Sequence, residues 1–297
     1  MILNIVRGFF MALADSVPGV SGGTIAYLMG FFDKFIYSLN YLMKGTKQQR
    51  CTSVKFLAKI GIGWVIGMGL SVTILATLFD KGIYKMSSLF LGFIIAAIPV
   101  MIAEEKEYIK GRYKNLVWAL LGGAAVFILS ALKFGKNIDL ANLNLSMILY
   151  IFIAGALAVS AMVLPGISGS TLMLAFGLYI PVITGIKNLI HFDFSDFLLL
   201  FIFGLGILTG IFTSLRGIKK LLEKNRSAMV YAILGMMIAS LYAIVIGPAS
   251  LKVPQPAMSL KTFDIIFFGI GVLLTLGFQL LKKLPFYNKE TAVQNKI

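Results

Sequence analysis

The stretch Pro18-Gly19-Val20-Ser21-Gly22-Gly23-Thr24 returns 147 positions later as Pro165-Gly166-Ile167-Ser168-Gly169-Ser170-Thr171. Both copies interrupt strongly apolar surroundings. Proline lacks a backbone N–H and clashes with the preceding turn, and glycine costs helix stability. Each copy therefore reads as a break in a helix. A polar break at membrane depth is costly unless it is buried in protein or lines a cavity. Two of them at matching places in two halves point to a transport site.

The composition fits that setting. Of 297 residues, 59% are apolar and only 13% are charged, against about 25% charged in a soluble domain. Apolar runs recur from end to end, so the chain reads as an all-α polytopic membrane protein. The N-terminus is apolar, but no small-residue cleavage site follows a basic stretch. It is expected to be mature structure and not a removable signal. Cys51 is the single cysteine and His191 the single histidine. An intrachain disulfide is excluded, and the usual zinc and haem ligand sets are not available. No cofactor is expected. The net charge of +15 is assigned to the membrane surface, with a share for an anionic substrate, and not to nucleic acid.

The repeat extends beyond the motif. At the same offset Gly8 matches Gly155, Ala14 matches Ala161 and Gly30 matches Gly177. With small gaps, Gly63 and Gly69 fall opposite Gly204 and Gly210, and Leu91-Gly92 opposite Leu234-Gly235. The first repeat, 1–140, holds a hairpin over 1–42 and spans near 56–79, 87–103 and 115–134. The second, 141–297, holds a hairpin over 146–189 and spans near 197–215, 228–247 and 263–281. Each half is thus a broken, re-entrant helix hairpin followed by three transmembrane helices. Three is odd, so the halves insert upside down relative to each other. Lys and Arg crowd the loops at 44–55, 104–114 and 216–226 and the tail from Lys282. That bias puts both termini in the cytoplasm.

At each break the second arm begins with N–H groups that have no intrahelical partner, and with the positive end of the helix dipole. Glycine lets a ligand approach the backbone. Ser21, Gly22, Gly23 and Thr24, with Ser168, Gly169, Ser170 and Thr171, are therefore the candidate anion site, suited to phosphate or carboxylate. The bland alternative is tight helix packing through small residues, with Ser and Thr as caps. Arg7 and Asp15 lie two turns apart on one face of the first arm. Arg7 is a candidate countercharge for the anion or a snorkelling surface residue. Asp15 is a candidate carrier of a coupling proton or cation, or a cap on the broken backbone. Asp33–Lys34 reads as an ion pair, and Glu104, Glu105 and Arg216 read as loop charges.

Gly19-Val20-Ser21-Gly22 and Gly166-Ile167-Ser168-Gly169 also fit the short G-x-S-G pattern of an intramembrane serine hydrolase. A serine nucleophile needs a base within reach, and one histidine cannot serve two copies. The motif lacks the Gly-Lys-Ser/Thr ending of a P-loop.

The segment Ala14-Asp15-Ser16-Val17-Pro18-Gly19-Val20-Ser21-Gly22-Gly23-Thr24, with Leu164-Pro165-Gly166-Ile167-Ser168-Gly169-Ser170, resembles the bacterial polyprenyl-phosphate translocases. The resemblance covers nearly the whole chain. It implies a non-enzymatic flippase in the bacterial cytoplasmic membrane. Such a protein would return undecaprenyl phosphate, the carrier lipid of cell-wall synthesis, from the outer to the inner leaflet. The residues alone also leave open a transporter or channel for a small anion.

Overall fold

The computed structural model describes residues 2–15, 21–71, 76–131, 144–166, 168–169, 172–173, 176–250 and 255–283, and no strand occurs among them. Pro18, Gly19 and Val20 of the first break lie outside the described residues. So do Ile167, Ser170 and Thr171 of the second, Lys133 and Lys136, and the tail with Lys289 and Lys296.

Before the first break runs α1 (Ile2–Asp15). After it come α2 (Gly22–Leu28) and α3 (Phe32–Lys44). Three longer helices and a short one follow: α4 (Lys47–Leu70), α5 (Ala76–Glu104), α6 (Lys106–Ile109) and α7 (Leu116–Ala131). The second half holds α8 (Leu145–Val163), α9 (Tyr179–Ile190), α10 (Phe197–Lys224), α11 (Arg226–Ile246) and α12 (Ile265–Lys283).

Local sequence explains the starts. Thr46 and Gln49 form a reciprocal capping box on α4, which satisfies two donors left open at a helix start. Asn144 and Asn225 accept from Met147 and Ala228 to cap α8 and α11. Among the described residues, six helices are long and apolar enough to cross a membrane: α4, the 82–104 part of α5, α8, α10, α11 and α12. Val65, Leu120, Ile266 and Leu273 are exposed on these helices and on α7, as lipid-facing side chains should be. This is a multi-pass membrane protein.

Lipid tails are as apolar as leucine, so helices in a membrane associate through close packing at small residues. The glycines mark where this happens. Gly8 lies against the Ile60 carbonyl, Gly63 against Ile5 and Gly67 against Phe9, joining α1 to α4. Gly155 lies against Phe203, Gly206 against Phe152 and Gly210 against Ala156, joining α8 to α10. Gly92 meets Phe268 and Gly271 meets Leu89, joining α5 to α12. Gly235 meets Ala119 and Gly122 meets Ala232, joining α11 to α7.

These contacts correct the gapped alignment. Gly63 and Gly206 touch residues 147 apart (Ile5 and Phe152), and so do Gly67 and Gly210 (Phe9 and Ala156). The packing offset in this helix is therefore 143, so Gly63 pairs with Gly206 and Gly67 with Gly210. Gly69 and Gly204, which the alignment had used, face open space. Sequence spacing alone could not separate glycines that differ by half a turn.

Each second arm is also broken once more than expected. Gly30 (φ 65°) and Gly177 (φ 67°) sit in the left-handed region. The N–H of Phe31 donates to the Ala26 carbonyl and that of Leu178 to the Met173 carbonyl, both at 2.9 Å. This is the glycine-terminated helix end in which a six-residue bond closes the last turn. The expected arm from Thr24 to Leu42 is thus two helices, α2 and α3, and α9 begins at the matching place.

Candidate functional site

The two breaks meet in the interior. Asp15 closes α1, and its carboxylate reaches across the break. The Gly22 N–H donates to Oδ1 at 2.7 Å and the Trp64 indole N–H to Oδ2 at 3.0 Å. Ser21 caps α2: its Oγ accepts from the Gly23 N–H at 3.1 Å and donates to the Leu164 carbonyl at 3.0 Å. The Thr24 N–H donates to the Ser21 carbonyl at 2.9 Å. The first donors of α2 therefore all have protein partners, and the anion at this helix start is the chain's own Asp15.

The contact continues through Thr24, whose Oγ1 accepts from the Gly166 N–H at 3.1 Å. A Cβ on Gly23 would lie 2.9 Å from the Val163 carbonyl oxygen. Gly166 is at φ 90°, where a side chain would be strained. So Ser21, Gly23 and Thr24 pack directly on the entry to the second break, while Gly22 faces Asp15. Ser21, Thr24 and Ser168 are all buried. Gly169 packs on α8, where a Cβ would lie 3.0 Å from the Ala158 carbonyl oxygen.

Arg7 is elsewhere. It is buried, with Nη1 donating to Asn4 Oδ1 at 2.8 Å and its guanidinium 5.0 Å from the centre of the Phe31 ring. It lines a cavity of about 440 Å³ between the α2–α3 turn, the start of α4, the end of α5 and the start of α11. None of Ser21, Gly22, Gly23 and Thr24 lines this cavity.

The far wall of the cavity is a charge network. Arg226 opens α11 and holds Glu105 through two bonds, Nη2 to Oε1 at 2.6 Å and Nε to Oε2 at 3.0 Å. Its Nη1 donates to Asp33 Oδ2 at 2.8 Å. The Tyr27 hydroxyl donates to Glu105 Oε1 at 2.8 Å, and Lys282 pairs with Glu104 at 2.7 Å. These contacts correct the reading of Glu105 as a solvated loop charge, while Glu104 stays exposed beside Lys282. The Glu105 side chain is only 7% exposed, and a carboxylate taken out of water needs such partners. They also replace the expected Asp33–Lys34 pair. Asp33 turns to Arg226, while the Lys34 ammonium lies 4.8 Å from the centre of the Phe56 ring.

One sequence signal marked this wall. At offset 147, Arg7, Asp33 and Lys34 correspond to Ala154, Ile180 and Pro181. The glycine frame repeats, whereas these three first-half charges have no charged counterpart in the second half, which contributes Arg226 and Lys282 at other positions.

Comparison with known proteins gives a consistent result. A family model described as undecaprenyl phosphate translocase-like matches residues 11–262. The chain is similar to a polyprenyl-phosphate transporter of Staphylococcus aureus, with 31% identity over 278 residues, 93% of this chain and 95% of that one. It is also similar to a polyprenyl-phosphate transporter of Vibrio cholerae, with 28% identity over 246 residues, 80% of this chain and 75% of that one. No solved structure matches.

Proposed function

This chain belongs to the undecaprenyl phosphate translocase-like family, and from that premise we propose that it is a transporter of polyprenyl phosphate, with no enzymatic activity. The substrate is undecaprenyl phosphate, moved from the outer to the inner leaflet of the bacterial cytoplasmic membrane so that the carrier can be used again in cell-wall synthesis. Both termini lie in the cytoplasm.

The observation that carries this reading is the junction of two polar helix breaks within a bundle of apolar helices long enough to cross a membrane. A flippase must hold a phosphate near the midplane while the tail stays in lipid. Residues 1–140 and 141–297 act as inverted repeats that rock against each other, which gives alternating access. In support, α4 begins at the cavity, through Gln49 and Ser53. Its counterpart α10 finishes at Lys224, two residues before Arg226, which lines that cavity.

In this scheme the described state is one in which Asp15 fills the anion position. When the halves part, the lipid phosphate takes its place at the Gly22 N–H. Ser21, Gly23 and Thr24 complete the shell from the first half, and Ser168, Gly169, Ser170 and Thr171 from the second. Arg7 supplies countercharge along the path. Displaced Asp15 is the group to carry a coupling proton or other cation.

The test is reconstitution of the full chain in vesicles with a labelled polyprenyl phosphate. The expected result is loss of outer-leaflet phosphate from a membrane-impermeant reagent, dependent on the protein. In cells depleted of the protein, undecaprenyl phosphate should accumulate on the outer face. Vesicles in which lipid phosphate stays put, or depleted cells with no accumulation, would overturn the proposal.

A further inference from the structure

We infer that Arg226 is a second docking point for a phosphate monoester, reached by exchange with Asp33. The inference rests on the reading that the chain carries a phosphorylated lipid. It concerns a place apart from the two helix breaks.

A guanidinium offers five N–H donors in a planar fork that matches carboxylate and phosphate oxygens. In this structure two carboxylates hold the Arg226 fork, and they hold it unequally. Glu105 is buried, bound through two bonds and steadied by the Tyr27 hydroxyl. Asp33 makes one bond from a side chain that is 39% exposed. Asp33 is therefore the replaceable partner. A phosphate monoester carries up to two charges and three acceptor oxygens, so it competes well against a single, half-hydrated carboxylate contact.

The surroundings suit such a ligand. Arg226 and Asp33 both line the cavity of about 440 Å³, a volume within the range of small-molecule sites, about 300–1,000 Å³. Tyr37, Tyr41, Thr52 and Ser53 bring hydroxyls to the same walls. The exchange also has a mechanical consequence. The Arg226–Asp33 bond joins α11 of the second half to α3 of the first, just beyond the Gly30 turn. A phosphate on Arg226 releases α3 from α11, while Glu105 keeps α11 on α5.

The experiment uses the full chain in detergent and measures retention of a short-chain polyprenyl phosphate. Inorganic phosphate and the matching unphosphorylated polyprenol are the competitors. Asp33→Asn removes the internal competitor and is expected to tighten binding about tenfold, the worth of one charge-assisted hydrogen bond. Arg226→Gln is expected to weaken it by at least as much, and Arg226→Lys by less. The polyprenol should not compete. Inorganic phosphate should compete only weakly, since it lacks the tail.

Unchanged or weaker binding by Asp33→Asn overturns the inference, and this variant decides the matter even if Arg226→Gln fails to fold. Inorganic phosphate competing as well as the lipid overturns the lipid assignment. Wild-type vesicles that transport, combined with Asp33→Asn and Arg226→Gln variants that bind like wild type, remove the Arg226 site and leave the transport proposal standing. Wild-type protein that binds through Arg226 but moves no lipid does the reverse.

Discussion

The Ser21 hydroxyl donates to the Leu164 carbonyl at 3.0 Å, across 143 positions of sequence. The same oxygen caps α2 by accepting from the Gly23 N–H. One hydroxyl thus ends a helix break and ties the two halves together.

Removing it should be felt in both roles. Ser21→Ala leaves the Gly23 N–H and the Leu164 carbonyl without this partner in a buried place. The expected loss is about 1–3 kcal/mol, from a lost cap plus an unmet buried acceptor. Thermal unfolding in detergent checks this, and Ser21→Thr should recover part of the loss. A full-stability Ser21→Ala protein would mean that the contact is not made in the membrane protein as it folds.

The glycine register gives a sharper test. Gly63→Ala and Gly206→Ala each drive a methyl group into a facing backbone carbonyl. Each should destabilise by about 1–3 kcal/mol, as overpacking does. Gly69→Ala and Gly204→Ala meet open space and should be neutral or slightly stabilising, since alanine is the better helix former. If the second pair proves the sensitive one, the 143-residue offset is wrong.

Backbone conformation makes a third prediction. At Gly30 and Gly177 a side chain would have to enter the left-handed region, at a cost of about 1–2 kcal/mol. Gly30→Ala and Gly177→Ala should therefore lower the unfolding temperature. Gly30→Asn should do so less, because asparagine tolerates that region. Equal effects of alanine and asparagine would point to crowding by the Lys282 side chain, whose Cε would lie 3.0 Å from a Cβ on Gly30.

Glu105 supports a fourth. Glu105→Gln leaves the Arg226 fork with Asp33 as its remaining carboxylate. A fully buried pair costs roughly 3–5 kcal/mol to break from one side. Arg226 is 28% exposed, so about 2 kcal/mol is expected here. A double-mutant cycle with Arg226→Gln should return much of that as coupling. Additive losses would show that the two side chains act independently.

How legible was this protein? The membrane character and both helix-breaking motifs were readable, because hydropathy and helix-breaking chemistry are local properties. The list of spans was less legible: α8, expected as a re-entrant arm, is long enough to cross a membrane, whereas α7, over the expected span near 115–134, is shorter. Gly30 and Gly177 share the repeat offset, and both end a helix in the left-handed region. That signal was present: a glycine in the middle of an apolar arm, twice, at the same offset. The charge network was not readable. Glu105 lies beside Glu104 at the end of a span, and Arg226 follows a run of basic residues. A paired charge and a solvated charge look the same in such a place.

The sequence by itself determined an all-α membrane protein built on a doubled Pro-Gly-x-Ser-Gly break, since backbone that cannot stay helical in lipid must be buried in protein or line a cavity. Tertiary structure alone decided what meets the broken backbone. Asp15 takes the Gly22 N–H, Thr24 takes the Gly166 N–H, and Arg226 gathers Glu105 and Asp33 from 121 and 193 positions away. Hydrogen bonds and ion pairs of that range depend on which helix faces touch, and those are set by glycines lying on carbonyls across the bundle. A half-turn shift of register, such as the one between Gly67 and Gly69, would change those faces while leaving the hydropathy profile almost the same.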